Sequence, residues 1–126
     1  PIWNGGRNRE EELLANCYFN SMKLARDNGI RSIAFPSIST GVYSFPVELA
    51  AKIAVRTVAR FLQENPGQVD LVEWVLFDSH TESVYEAEVT LYIIYEFSLF
   101  ESKQKAQKGE IIHGFIGCRC TEWYRG

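Results

Sequence analysis

The 126 residues hold little of what marks several common classes of protein. Cysteine occurs three times, at Cys17, Cys118 and Cys120. An odd number argues against a disulfide framework and fits a reducing compartment, so a cytoplasmic location is expected. Histidine occurs twice, at His80 and His113, and neither has an evident Ser or Cys partner in sequence, so a nucleophilic triad is not supported. Cys118-Arg119-Cys120 with His113 invites a zinc reading, but C-x-C is too short for the common knuckle and no fourth ligand is evident. Neighbouring free thiols on a strand are the better reading, and no metal or other cofactor is expected. There is no charge-free apolar run of 18 residues and no signal peptide, so no membrane association is expected. The net charge of −3 gives no electrostatic case for nucleic acid. The one basic cluster, Lys103 to Lys108, reads as a solvated turn. Repeats and low-complexity segments are missing, and the first residue is Pro1, not Met.

What remains is ordinary globular material, 46% hydrophobic and 23% charged, of a length that suits one domain. The organising stretch runs from Ser32 to Pro46. Ile33 to Phe35 is a short apolar run that Pro36 stops, small residues follow, and Pro46 suits the first position of a helix. A strand, a small-residue loop and a helix can aim backbone N–H groups at an anion, because the first turn of a helix has unpaired donors and a positive dipole end. Successive loop amides can form a nest for phosphate oxygens. Gly41 suits a backbone angle closed to other residues and the close approach of a ligand, while Ser39 and Thr40 add hydroxyls. The loop is neither a Walker A loop nor a G-x-G-x-x-G turn. On spacing alone the signal is weak, and an ordinary strand-to-helix connection is the favoured reading.

Around it the periodicities predict helix, strand, helix, strand. From Glu10, residues Leu13, Leu14, Cys17, Tyr18, Ser21, Leu24 and Ala25 recur at helical spacing, with Glu10, Glu11 and Glu12 in the first turn and Asn28-Gly29 as a stop. Trp3, ahead of the Asn4-Gly5-Gly6 turn, reads as a packing residue. Ile30 to Phe35 is the first strand. Leu49, Ala50, Ile53, Ala54, Thr57, Val58, Phe61 and Leu62 form the second helical stripe, which ends near Asn65-Pro66-Gly67. Val69 to Phe77 is apolar at most positions, as a strand covered on both faces requires. The class is therefore α/β with parallel strands, and the loop falls at the carboxyl end of the first strand, where such sheets bind ligands. Asp78 to Glu88 starts as a helix. Val89, Leu91, Ile93, Tyr95, Phe97 and Leu99 then alternate, so Val89 to Cys118 is expected to form an antiparallel hairpin, with a long continuation of the helix from Thr81 as the alternative.

Ala34-Phe35-Pro36-Ser37-Ile38-Ser39-Thr40-Gly41-Val42-Tyr43-Ser44-Phe45-Pro46 closely resembles the second ligand loop of macro domains, the modules that include O-acetyl-ADP-ribose deacetylases and mono-ADP-ribosyl hydrolases. Pro1 to Gly6, Glu11 to Tyr18 and Val75 to Asp78 resemble, in order, segments of the second half of that family. The resemblance covers about residues 1–87 and implies part of a three-layer macro-like unit; residues 88–126 do not match. It implies that Ser39, Thr40, Gly41, Val42 and Tyr43 hold a diphosphate. It places Tyr43 and its neighbour Phe45 by the distal ribose, and Phe77 beside the adenine. Core packing is the alternative for all three aromatics, and helix capping for Asp78. The family's acidic adenine reader, its Asn-Ala-Ala-Asn stretch and its glycine-rich loop have no counterpart here, so no catalytic residue is carried over. The expectation is a truncated, homo-oligomeric domain that binds ADP-ribose or a related phosphate, with at most residual hydrolysis. The rival expectations are a structural or interaction protein completed by homo-oligomerisation, and a rearranged domain whose hairpin replaces missing strands.

Overall fold

A computed structural model describes residues 1–41, 43–104 and 115–120, with side chains up to residue 95. Six elements follow one another: α1 (Glu10–Asp27), β1 (Ser32–Phe35), α2 (Val47–Glu64), β2 (Leu71–Leu76), α3 (Ser79–Gln104) and β3 (Phe115–Cys120). β2 lies between β1 and β3, and both pairings are parallel. Phe35 stands opposite Trp74 in the first pair. The carboxyl ends of β1 and β2 therefore share one end of the sheet, and the loop after Phe35 opens beside Phe77. The α/β class with parallel strands is the one expected.

The carboxyl end of α1 has a local cause. α1 stops through two closing bonds at its carboxyl end, from the Gly29 N–H to the Arg26 carbonyl (3.1 Å) and from the Ile30 N–H to the Ala25 carbonyl (2.9 Å). Gly29 has φ +69°, the left-handed angle that this ending requires. α1 buries Leu14, Tyr18, Met22 and Ala25, and leaves Leu13 and Leu24 exposed, so the stripe is narrower than the sequence pattern suggests. α2 buries Ala50, Ala54, Val58, Phe61 and Leu62 among others. The Arg26 guanidinium lies 5.5 Å from the Phe61 ring centre and donates to Asn65 Oδ1 at 2.7 Å, joining the end of α1 to α2.

The core is aromatic at its centre. The fully buried Trp74 ring lies 6.1 Å from Tyr18 of α1, 6.0 Å from Phe35 of β1 and 5.8 Å from Tyr85 of α3. Such pairs contribute about 0.5–1.5 kcal/mol each beyond the area they bury. β2 alternates, with Val72, Trp74 and Leu76 buried and Leu71, Glu73 and Val75 half-buried. Its apolar run predicts equal cover on both faces, yet only the face carrying Trp74 is sealed.

The predicted hairpin is not formed. Val89 to Leu99 lie inside α3, a 26-residue helix, and Phe115–Cys120 pairs in parallel with β2 instead of folding back on a neighbour. The polar turn expected from Glu101 is helical as far as Gln104, and its remainder, like Ile111 to Gly114 and His113, lies outside the described residues. The physical reason is that Tyr92 and Ile94 fill the alternation, so the run is apolar on every side and its period does not discriminate. Two other signals decide for a helix. No Gly or Pro interrupts residues 79–104. Asp78 caps the start, with Oδ1 accepting from the Thr81 N–H at 2.8 Å and Oδ2 from its hydroxyl at 3.2 Å. No helix among the described residues is long and apolar enough to cross a membrane.

Candidate functional site

The segment from Pro36 to Pro46 joins β1 to α2 and is held from below and at its far end. Below it, the Tyr18 hydroxyl donates to the Pro36 carbonyl and accepts from the Ile38 N–H and from Trp74 Nε1, each at 3.4 Å. The hydroxyl thereby acts as both donor and acceptor beneath the loop. Burial pushes the Tyr18 phenol above its ordinary range. From α3, the Tyr85 hydroxyl meets Ser37 Oγ at 2.8 Å. Thr40 Oγ1 donates to the same Ser37 Oγ at 2.6 Å and to the Ser37 carbonyl at 3.1 Å. At the far end, the Trp3 N–H donates to the Tyr43 carbonyl at 3.0 Å, and the Trp3 ring packs on Phe45 at 4.9 Å.

The loop satisfies only part of its own backbone. The Phe45 N–H reaches the Ser39 carbonyl at 2.9 Å and the Ser44 N–H reaches the Gly41 carbonyl at 3.0 Å. The N–H groups of Ser39, Thr40, Gly41 and Tyr43 make no hydrogen bond to another described residue. Ser39 has φ +68° and Ser44 φ +57°, angles uncommon for residues with a β-carbon. The Ser39 hydroxyl is enclosed and has no partner among the described residues. Strain and an orphan donor thus coincide at one residue, a pairing that concentrates at binding sites. Gly41 does not use the glycine-only angle expected of it; the left-handed angles fall on the two serines. A β-carbon at Gly41 would meet nothing within 4 Å, so glycine there leaves open space.

Pro46 takes the capping position ahead of α2, not the first helical position, and no side chain caps that helix. Of the aromatics, Tyr43 is 49% exposed and Phe77 68% exposed, and both lie at the same sheet end. Phe45 is 1% exposed and belongs to the core beneath the loop. Val42 lies outside the described residues. Asp78 spends its carboxylate on the α3 cap, which holds its pKa below the usual range, chiefly through the Thr81 N–H. Among the described residues no group of His, Cys, Asp and Glu could hold a metal ion.

Sequence reasoning missed Ser37, Tyr18 and Tyr85 as parts of the site. The available signal was chemical: a tyrosine at an otherwise aliphatic buried helical position needs a partner for its hydroxyl.

Known proteins resemble the chain in sequence and in fold. Residues 1–54 match the profile of the Macro domain. The chain carries part of a macro domain. It is 50% identical over 93 residues to an O-acetyl-ADP-ribose deacetylase of Klebsiella pneumoniae, covering 73% of this chain and 52% of that protein. The Oceanobacillus iheyensis macrodomain with ADP superposes with a TM-score of 0.69 at 48% identity, over 76% of this chain and 49% of the other. The Trypanosoma brucei macrodomain in complex with ADP-ribose gives a TM-score of 0.60 at 36% identity, over 61% and 33%. The chain spans about half the length of the curated relatives it matches. Within residues 1–54 lie the whole loop and its supports from Trp3 and Tyr18.

Proposed function

We propose that the chain binds ADP-ribose, or a related phosphate ligand, through the loop Ser39, Thr40, Gly41, Val42 and Tyr43. The observation that carries this reading is the run of loop N–H groups with no acceptor among the described residues, next to the unpartnered Ser39 hydroxyl. Diphosphate oxygens are the acceptors such a loop suits, and the uncapped start of α2 adds a favourable dipole. Tyr43 and Phe77 lie where they could face a ribose and an adenine, and Phe45 is buried against Trp3 beneath the loop. The macrodomains of Oceanobacillus iheyensis and Trypanosoma brucei were solved with ADP and ADP-ribose, which supports the ligand class.

Binding without efficient turnover is the expected behaviour. Gripping a diphosphate stabilises the bound substrate as much as its transition state and does not by itself raise kcat. A hydrolase must also position water, and the loop carries no general base. Titration calorimetry with ADP-ribose, ADP and adenosine tests the reading. Heat with the first two and none with adenosine is expected; no saturable binding of ADP-ribose at millimolar concentration defeats it.

A second reading is favoured by a separate observation. Leu91, Ile93, Ile94 and Tyr95 of α3 are all exposed, and β1 pairs on one side only among the described residues. Self-association would cover both features. Sedimentation velocity across a hundredfold concentration range decides it, and a monomer throughout rules it out.

A further inference from the structure

We propose that Tyr85 is a positioning residue for the phosphate loop, acting from α3 through Ser37. The inference rests on the reading of Ser39–Tyr43 as the phosphate-binding loop. Tyr85 lies 48 residues beyond Ser37 in sequence and on a different element, yet its hydroxyl reaches Ser37 Oγ at 2.8 Å. Thr40 closes on the same oxygen at 2.6 Å. The chain Tyr85–Ser37–Thr40 therefore fixes the first turn of the loop, one residue from the strained Ser39 and from Gly41. The phenol is itself immobile. Tyr85 is fully buried and its ring is held 5.8 Å from Trp74. A rigid anchor lowers the entropy that the loop would otherwise lose when it closes on an anion.

A buried tyrosine in this place has two separable parts. The ring fills the core, and the hydroxyl alone touches the loop. Tyr85→Phe removes the second and keeps the first. Ser37→Ala removes that contact from the other side and the Thr40 contact with it.

The test combines two readouts on the whole chain. The first needs no ligand: amide hydrogen exchange of Ile38 to Gly41 in the free protein. Tyr85→Phe and Ser37→Ala are each expected to speed exchange there several-fold, with no change in the amides of Val55 to Phe61 in α2. The second is the Kd for ADP-ribose, expected to weaken about threefold to tenfold in either variant, the range one hydrogen bond spans. In the double variant the loss should match that of Ser37→Ala alone, because that change already removes the Tyr85 contact. Val58→Ala, a core change away from the loop, should lower the melting temperature and leave the Kd alone, separating positioning from general stability. Unaltered exchange at Ile38 to Gly41 in Tyr85→Phe overturns the proposal, as do additive losses in the double variant. Wild-type protein that fails to bind ADP-ribose sinks the ligand reading instead, while the exchange data still judge whether Tyr85 holds the loop.

Discussion

Gly6 faces the Trp3 ring so closely that a β-carbon on it would lie 3.1 Å from the ring carbon Cη2. Gly6 also has φ +83°, and its neighbour Gly5 has φ +84° with nothing within 4 Å. The two glycines share a backbone need and differ only in this contact. Alanine at either should cost about 1–2 kcal/mol for the left-handed angle. Gly6→Ala should cost more than Gly5→Ala, because Trp3 must also retreat. Urea denaturation of both variants reads the difference. Since Trp3 supports Phe45 and ties the Tyr43 carbonyl, Gly6→Ala should also weaken ligand binding, and Gly5→Ala should not.

Gly41 separates binding from folding. A β-carbon there meets nothing within 4 Å and enters space left open beside the loop. Gly41→Val should therefore leave the melting temperature within a degree or two and weaken ADP-ribose binding by at least tenfold. An unchanged Kd would show that the ligand does not approach this glycine.

Trp74 is the hub where α1, β1 and α3 meet. Trp74→Ala should cost about 3–5 kcal/mol, enough to consume much of a small domain's stability. Loss of cooperative thermal unfolding is expected. A variant melting near the wild-type temperature would contradict the placement of this side chain.

Burial raises the Tyr18 pKa above its value in the unfolded chain, which is about 10. The neutral phenol is thus the form the fold prefers. Its contribution is complete below about pH 10 and declines as the pH rises through that value and beyond. Wild-type protein should lose stability in this alkaline window more steeply than Tyr18→Phe. The variant should be less stable at neutral pH, because the Ile38 N–H and Trp74 Nε1 lose their acceptor. Parallel slopes above pH 10 would refute the assignment.

Asp78 behaves in the opposite sense. Its folded pKa is lowered, first by the Thr81 N–H, so the charged cap stabilises the fold above the ordinary carboxylate range and fails as the pH falls through it. Asp78→Ala should cost about 1 kcal/mol at pH 7, and that difference should shrink below about pH 4. Circular dichroism during thermal melts at both pH values checks it.

Much of this architecture was legible from residue order, and the reasons are specific. The Leu14, Tyr18 and Ala25 spacing and the Asn28-Gly29 ending mark α1, and the alanine-rich stripe with Asn65-Pro66-Gly67 marks α2. Both combine a period with a terminator. The loop was legible through resemblance, which does not reveal geometry. Left-handed angles at Ser39 and Ser44 carry no residue-type signal, whereas Gly41 suggested an angle it does not use. Phe45 and Tyr43 look alike in sequence and differ in burial, because the Trp3 ring covers one of them. The anchor at Tyr85 is invisible without knowing that α3 returns beneath the loop. α3 itself was misread beyond Glu88, where alternation and a filled apolar run give the same letters, and the cap at Asp78 is the feature that decides between them.

β1 is only four residues long, and its outer margin is unpaired among the described residues. So brief a ribbon offers an incoming chain few rungs, too few to template open-ended fibre growth. Recruitment at this margin would therefore be selective: an added strand would have to bring its own side-chain contacts to stay.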